Sequence, residues 1–294
     1  MRILVTGAAG FLGGHVARHL ATVGHEVRGF DIEPSPDTRY ESVIGDLLDK
    51  DSVTSAAMGV DAVCHLGAIG DVYLAAEQPQ LAAAVNATGS ANIAIAAGEA
   101  GAKVVYASTW EVYGEPRYQP IDEDHPVSPD HPYNITKLAG EQLLLAADRL
   151  QGVPVTALRL GTAYGSGLRP NSVFRIFIDR ARAGEPISIQ GDGSQGRQFT
   201  YAADIASAFD LACGSEVHGM AINVVAPETT SIKELAELVV NRYPTDLTFG
   251  EARAGDVPPA LVSAELAETA LGWRSATPFA TGLEHLLEDT SDTR

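Results

Sequence analysis

The chain reads as an α/β protein, a doubly wound parallel sheet with a smaller lobe interleaved toward the C-terminus. Three observations carry that reading. Short β-branched runs alternate with helix-length segments through the first half, the pattern of βαβ units whose helices cover both faces of a parallel sheet. A glycine-rich turn stands between the first run and the first helical segment. The 294 residues, 45% of them hydrophobic, suffice for one large or two modest domains with a real core, which excludes disorder as the main state.

In order along the chain, the predicted strands are Ile3 to Thr6, Glu26 to Phe30, Ser42 to Ile44, Asp61 to Leu66, Lys103 to Ala107 and Pro154 to Leu160. Helices are predicted at Phe11 to Val23, Gln80 to Ala100 and Tyr133 to Leu150. Beyond residue 160 a stretch punctuated by Gly and Pro, Gly161 to Pro170, leads to a helix at Ser172 to Ala183 and the turn-rich GEPISIQGDGSQGRQF. Substrate-binding segments often have this character. Ala202 to Cys213 reads as a helix and Ala221 to Val225 as a strand that returns to the first sheet. Helices near Ser231 to Tyr243 and Pro278 to Leu287 follow. The expected division is 1–160 with about 198–226 as a nucleotide domain, and 161–197 with 227–294 as a substrate lobe. Residues 289–294 read as a disordered tail.

Acidic residues outnumber basic ones 38 to 20, a formal charge of −18. No generic field for nucleic acid or an anionic membrane exists, so any anionic ligand must be met by a few placed arginines. The excess itself reads as solvated surface, with adaptation to salt as the alternative. Cys64 and Cys213 form neither a CxxC nor a Cys/His cluster, so no metal site is expected and a reducing compartment fits. The N-terminus lacks the pattern of a signal peptide and no apolar run of 18 residues is evident, which predicts a soluble cytoplasmic protein.

Gly7-Ala8-Ala9-Gly10-Phe11-Leu12-Gly13 follows a strand and opens a helix, the context that makes a glycine motif a dinucleotide site. Glycine permits the tight turn and the close approach of backbone to a pyrophosphate, and the helix N-terminus supplies amide donors. Asp31 ends the second strand about twenty residues on, where a carboxylate accepts from both adenosine ribose hydroxyls and repels a 2′-phosphate. NAD is therefore the expected cofactor, with Arg28 the nearest residue that could favour its phosphorylated relative. Asp46-Leu47 could frame the adenine or form an ordinary surface loop.

Tyr133 and Lys137 stand at i and i+4 of a predicted helix, so phenol and ammonium project from one face. A YxxxK is common, and a surface Tyr and Lys is the bland alternative. Its position after the glycine turn and after Ser108-Thr109 at a strand end gives it weight. A phenol with pKa of about 10 is a poor base at neutral pH, and a nearby ammonium together with a cationic nicotinamide favours the phenolate. Thr109 can hydrogen-bond the same substrate hydroxyl.

Together the glycine turn, Asp31, Thr109 ahead of Val112-Tyr113-Gly114, and Tyr133/Lys137 resemble an extended short-chain dehydrogenase/reductase. Gly191-Asp192-Gly193, then Arg197-Gln198-Phe199-Thr200-Tyr201 ahead of Asp204, then Arg253-Ala254-Gly255-Asp256 and Leu271-Gly272-Trp273 are similar to its nucleotide-sugar epimerase/dehydratase branch. The resemblance covers nearly the whole chain. It implies a Rossmann domain, with Phe11, Leu12, Leu66, Gly67, Ala68, Asn86 and Ser108 completing the cofactor site. It implies that Arg197 and Arg253 grip a substrate diphosphate, each with a surface salt bridge as the alternative. It further implies that Tyr133 takes a proton from a sugar hydroxyl, normally at C4, while hydride passes to NAD⁺. A homodimer is expected on the same ground.

The fate of the resulting 4-keto sugar divides the family. Return of hydride to the other face gives a 4-epimerase, the leading reading, on a UDP-linked hexose or hexuronate. Dehydratases similar to this sequence carry Asp-Glu after the threonine; here Trp110 takes the Asp position and cannot donate a proton usefully. Glu111 remains, which keeps open decarboxylation or an atypical dehydration, or a structural carboxylate. Thr162 stands where relatives carry Asn, so one substrate hydrogen bond is replaced and one lost. Asp71 and Tyr73 could reach sugar hydroxyls or face only solvent. Outside enzymology, an NAD-binding sensor is the alternative, against which Tyr133, Lys137 and Thr109 argue.

Overall fold

The computed structural model describes residues 1–251 and 260–288. The elements are β1 (Arg2–Thr6), α1 (Phe11–Thr22), β2 (Glu26–Asp31), β3 (Glu41–Ile44), α2 (Lys50–Ala57), β4 (Ala62–His65), α3 (Val72–Glu77), α4 (Pro79–Ala83), α5 (Gly89–Ala100), β5 (Lys103–Thr109), α6 (Pro132–Gln151) and β6 (Val155–Leu160). Then come β7 (Thr162–Tyr164), α7 (Val173–Arg182), β8 (Ile187–Gln190), β9 (Gly196–Arg197), β10 (Phe199–Tyr201), α8 (Ala202–Gly214), β11 (Met220–Val224), β12 (Thr230–Ser231), α9 (Ile232–Arg242), β13 (Leu247–Gly250), α10 (Glu265–Leu271) and α11 (Phe279–Glu288). A π-helical turn, Ala84–Thr88, joins α4 to α5 with αR backbone at both junctions, so the helix expected over Gln80 to Ala100 runs continuously as Pro79–Ala100.

Seven strands form one sheet in the order β11-β6-β5-β4-β1-β2-β3. All its pairings are parallel, and the ends of β1, β4 and β5 lie side by side. Side chains alternate across it as the strand period of two requires. Ile3, Val5, Cys64, Val105 and Leu158 face α1 and α8, whereas Leu4, Val63, Val104 and Tyr106 face α2, α5 and α6. Burial of each such aliphatic side chain contributes about 1.5–3 kcal/mol. Cys64 on β4 and Cys213 on α8 face each other within the first layer, Sγ to Sγ 3.4 Å, both buried.

A separate aromatic core gathers Tyr164, Phe174, Phe177, Ile187, Phe199, Leu235 and Leu283 into the second lobe. Ala267, Leu271 and Trp273 from the C-terminal segment pack in the sheet's core. The reason lies in α8. The Asp204 carbonyl accepts Trp273 Nε1 at 2.8 Å, and the Asp204 carboxylate accepts the amides of Ala276 and Thr277 at 3.0 and 2.9 Å.

The expectation that no apolar segment is long enough to cross a bilayer is also corrected: Pro79–Ala100, 22 residues, passes by length and composition. Ile93, Ala96 and Ala97 on it belong to the sheet's core, and Asn92 Nδ2 donates to the Leu47 carbonyl at 2.8 Å. The tail 289–294 lies outside the described residues.

Candidate active site

The chain turns out of β1 at Gly7, whose φ of +73° favours glycine. A Cβ there would stand 2.8 Å from Gly67 N, and a Cβ at Gly13 would stand 2.0 Å from Gly7 O. Turn, helix and the loop after β4 therefore close to a distance that side chains forbid. Gly10 caps α1 without a side-chain bond, leaving the first-turn amides of Phe11, Leu12 and Gly13 with no helical acceptor, as an anion site requires. Asp31 Oδ2 accepts Ala9 N at 3.0 Å and braces the turn from the end of β2. Thr6 Oγ1 accepts the amides of Leu66 and Gly67 at 3.2 and 3.0 Å, and Ala68 follows them in the same loop. Leu47 is buried against Gly67, whereas Asp46 is exposed and accepts Leu48 N at 2.9 Å. This glycine cradle with open amides and a carboxylate at the next strand end fits a dinucleotide.

Across the sheet, α6 starts at Pro132 behind an N-cap by His131, whose ring accepts Tyr133 N at 3.2 Å. Lys137 is buried one turn on, its Nζ 4.3 Å from the Tyr106 ring centroid. Burial pushes the Lys137 ammonium down to about 7, with the Glu141 carboxylate opposing. Burial and then the Glu111 charge push the Tyr133 phenol up, while Arg169 and a hydrogen bond with the Thr109 side chain pull it down. Thr109 Oγ1 also accepts Glu111 N at 3.3 Å, which starts the short turn after β5. The structure thus brings Thr109, Tyr133, Lys137 and Glu111 together.

Trp110, next to Glu111 in the chain, lines a small cleft with Gly161, Gly196, Arg197, Gln198, Val225 and Ala260. Burial raises the Glu111 carboxyl, Arg197 lowers it and Asp130 raises it further. Arg197 Nη1 donates to the Gly196 carbonyl at 2.8 Å and leaves most of its fork for the cleft. Thr162 opens β7 and pairs in register with Phe199.

Three residues expected to contact cofactor or substrate have polar atoms engaged within the protein. Ser108 Oγ donates to Glu141 at 2.5 Å. Asn86 bonds both backbone groups of Ile69 and donates to Thr136 Oγ1 at 3.0 Å, so it holds the cofactor-side loop to α6. Asp71 caps α3 and pairs with Arg169 Nη1 at 3.0 Å and with Asn171 Nδ2 at 3.2 Å. Tyr73, in the first turn of α3, is 62% exposed. Arg253 lies outside the described residues.

Sequence reasoning passed over Arg159, Glu141 and Arg169. A charged residue inside the wholly buried strand VTALRL demands a partner, and Glu141 stands at helical spacing from Lys137, so the first two left a signal. Arg169, in an irregular loop, left none.

The family model described as NAD dependent epimerase/dehydratase family matches residues 3–224. The chain is 32% identical over 306 residues to the UDP-glucose 4-epimerase of Mycolicibacterium smegmatis, across 98% of both chains. It is 29% identical over 301 residues to UDP-glucuronic acid decarboxylase 1 of Danio rerio, covering 98% of this chain and 72% of that protein. Among solved structures it is similar to the UDP-glucuronic acid 4-epimerase of Bacillus cereus in complex with UDP-glucuronic acid and NAD, with a TM-score of 0.88, 28% identity and 98% of each chain covered.

Proposed function

The chain belongs to the NAD-dependent epimerase/dehydratase family, and from that premise we propose that it is a 4-epimerase of a UDP-linked hexose or hexuronate. The carrying observation is the grouping of Thr109 at the end of β5 and Glu111 just after it with Tyr133 and Lys137 one turn apart on α6, near the cleft that Arg197 lines.

Gly7, Gly10 and Gly13 with the amides of α1 would hold the NAD pyrophosphate and Asp31 the adenosine ribose, and the nicotinamide would supply a hydride acceptor and later donor. Tyr133 removes the proton of the sugar 4-hydroxyl while the C4 hydrogen leaves with its electron pair, which makes the 4-keto sugar. Thr109 fixes the same oxygen, and the Lys137 ammonium stabilises the phenolate. After the sugar presents its other face, Tyr133 returns the proton to the same oxygen, and the reduced cofactor would return the hydride it had taken. Arg197 suits a diphosphate or carboxylate because its guanidinium matches two oxygens at once.

Product analysis tests the reading: UDP-glucose or UDP-glucuronic acid goes to its 4-epimer at unchanged mass. Absence of any 4-epimer from either substrate sinks it. A second reading, decarboxylation of a hexuronate after the same oxidation, is favoured by the half-buried Glu111, whose carboxyl is raised, and predicts loss of CO2.

We place the enzyme in the cytoplasm as a homodimer. Ile95 on α5 with Ile135 and Leu143 on α6 are 39%, 49% and 43% exposed, a set of apolar positions suited to a second copy. Light scattering after gel filtration tests the dimer, and Leu143→Glu is expected to shift the mass toward one chain.

A further inference from the structure

The face of α6 that bears Tyr133 and Lys137 bears a third ionisable group, unused by the scheme above. Glu141 stands one turn beyond Lys137 and is fully buried. Its carboxylate accepts Ser108 Oγ at 2.5 Å, Arg159 Nε at 3.2 Å and Arg159 Nη2 at 2.6 Å. The guanidinium is fixed in turn by Tyr113, with Nη1 2.9 Å from the phenol oxygen and Cζ 4.8 Å from the ring centroid. Stability is a weak reason for such a pair, because well-packed apolar residues commonly replace a buried ion pair without loss. Its place suggests another. Glu141 is tied to the residue next to Thr109, and it sits at helical contact distance from Lys137.

We propose that Glu141 is a positioning residue for the catalytic base: held by Ser108 and Arg159, it keeps Lys137 in the ammonium form and so keeps Tyr133 ready to lose its proton. The other groups facing Lys137 do not supply this. Tyr106 on β5 and Tyr133 on α6 are phenols pushed up by burial, and His65 on β4 is pushed down to about 3, so all three are neutral at pH 7. Glu141 is the group that opposes the burial of Lys137. Arg159 limits the field of the carboxylate without reversing it. The inference rests on Tyr133 as the base and is independent of which sugar is turned over.

The chain has four lysines, Lys50, Lys103, Lys137 and Lys233, so ¹³Cε-lysine labelling of the full NAD-loaded enzyme gives an assignable titration, with Lys137→Arg marking the signal. Glu141→Gln is expected to move the Lys137 midpoint down by about one pH unit, a tenfold change in proton affinity. In the same variant kcat at pH 7 falls while KM holds, and Glu141→Asp recovers part of both effects. A midpoint unmoved in folded Glu141→Gln overturns the inference and leaves the epimerase reading standing; failure to form an epimer does the reverse. If Glu141→Gln does not fold, Ser108→Ala decides. Removal of that donor strengthens the field of the carboxylate, so an upward movement supports the inference and an unmoved midpoint overturns it.

Discussion

Arg169 reaches from the second lobe to Asp71 in the first, Nη1 to Oδ2 at 3.0 Å, and its Nη2 donates to the Gly70 carbonyl at 3.2 Å. On the other side His15 of α1 bonds the Ser166 carbonyl at 2.9 Å. The loop between β7 and α7 therefore runs as a strap from the helix that takes the cofactor phosphates to the loop that follows β4. Arg169 also acts on the phenol of Tyr133 through space.

Loss of that charge has a definite sign. Arg169→Met removes a group that lowers the phenol, so the acidic limb of the kcat profile moves to higher pH. The ion pair is exposed, and global stability changes by no more than about 1 kcal/mol. A pH–rate series beside a urea titration checks both statements.

Glu111→Gln moves the same limb the opposite way. The carboxylate raises the phenol of Tyr133, and its removal makes the proton easier to lose, so activity extends to lower pH. Epimer formation continues in this variant. Release of CO2 from a hexuronate, if the decarboxylase reading holds, stops, and mass spectrometry of the products records which occurs.

Tyr133→Phe removes the base while leaving the glycine cradle intact. Turnover is expected to fall by about 10²–10⁴. Bound NAD, measured by extraction from the purified variant, stays at the wild-type level.

His65 gives a pH dependence of stability. Buried between Thr6 and Ser90 and repelled by Lys137, it is held to about 3. In the unfolded chain an imidazole titrates at about 6.5, so below that pH the unfolded state takes up a proton that the folded state refuses. Stability is full above about 6.5 and falls as the pH drops toward 3, at no more than about 1.4 kcal/mol per pH unit. Urea unfolding at pH 7, 6 and 5 shows the slope, and His65→Gln flattens it.

Most of the frame was legible because parallel strands buried on both faces must be apolar and must be joined by helices. The runs at Ile3 to Thr6 and Lys103 to Ala107 declare themselves on that ground. Short elements did not: α2 and α3 begin on Asp49 and Asp71, single capping residues that mark a start only when the following turn is known to be helical. Tyr133 and Lys137 were legible through their spacing, as was Thr109 through its strand end. For Asn86 and Ser108 the sequence placed the region, and the structure adds partners within the protein. Spacing reports which residues come near a site, whereas the direction of a short polar side chain is decided by hydrogen-bond acceptors far off in sequence, here Ile69 and Glu141.

The facing thiols of Cys64 and Cys213 make the enzyme its own unfolding reporter. Both sulfurs lie between the central sheet and α8, so an alkylating reagent reaches neither until that layer parts. The second lobe contains no cysteine of its own, and its opening stays silent. The rate of thiol labelling in native buffer therefore measures the opening of the layer between sheet and α8, and bound NAD should slow it by the factor 1 + [NAD]/Kd.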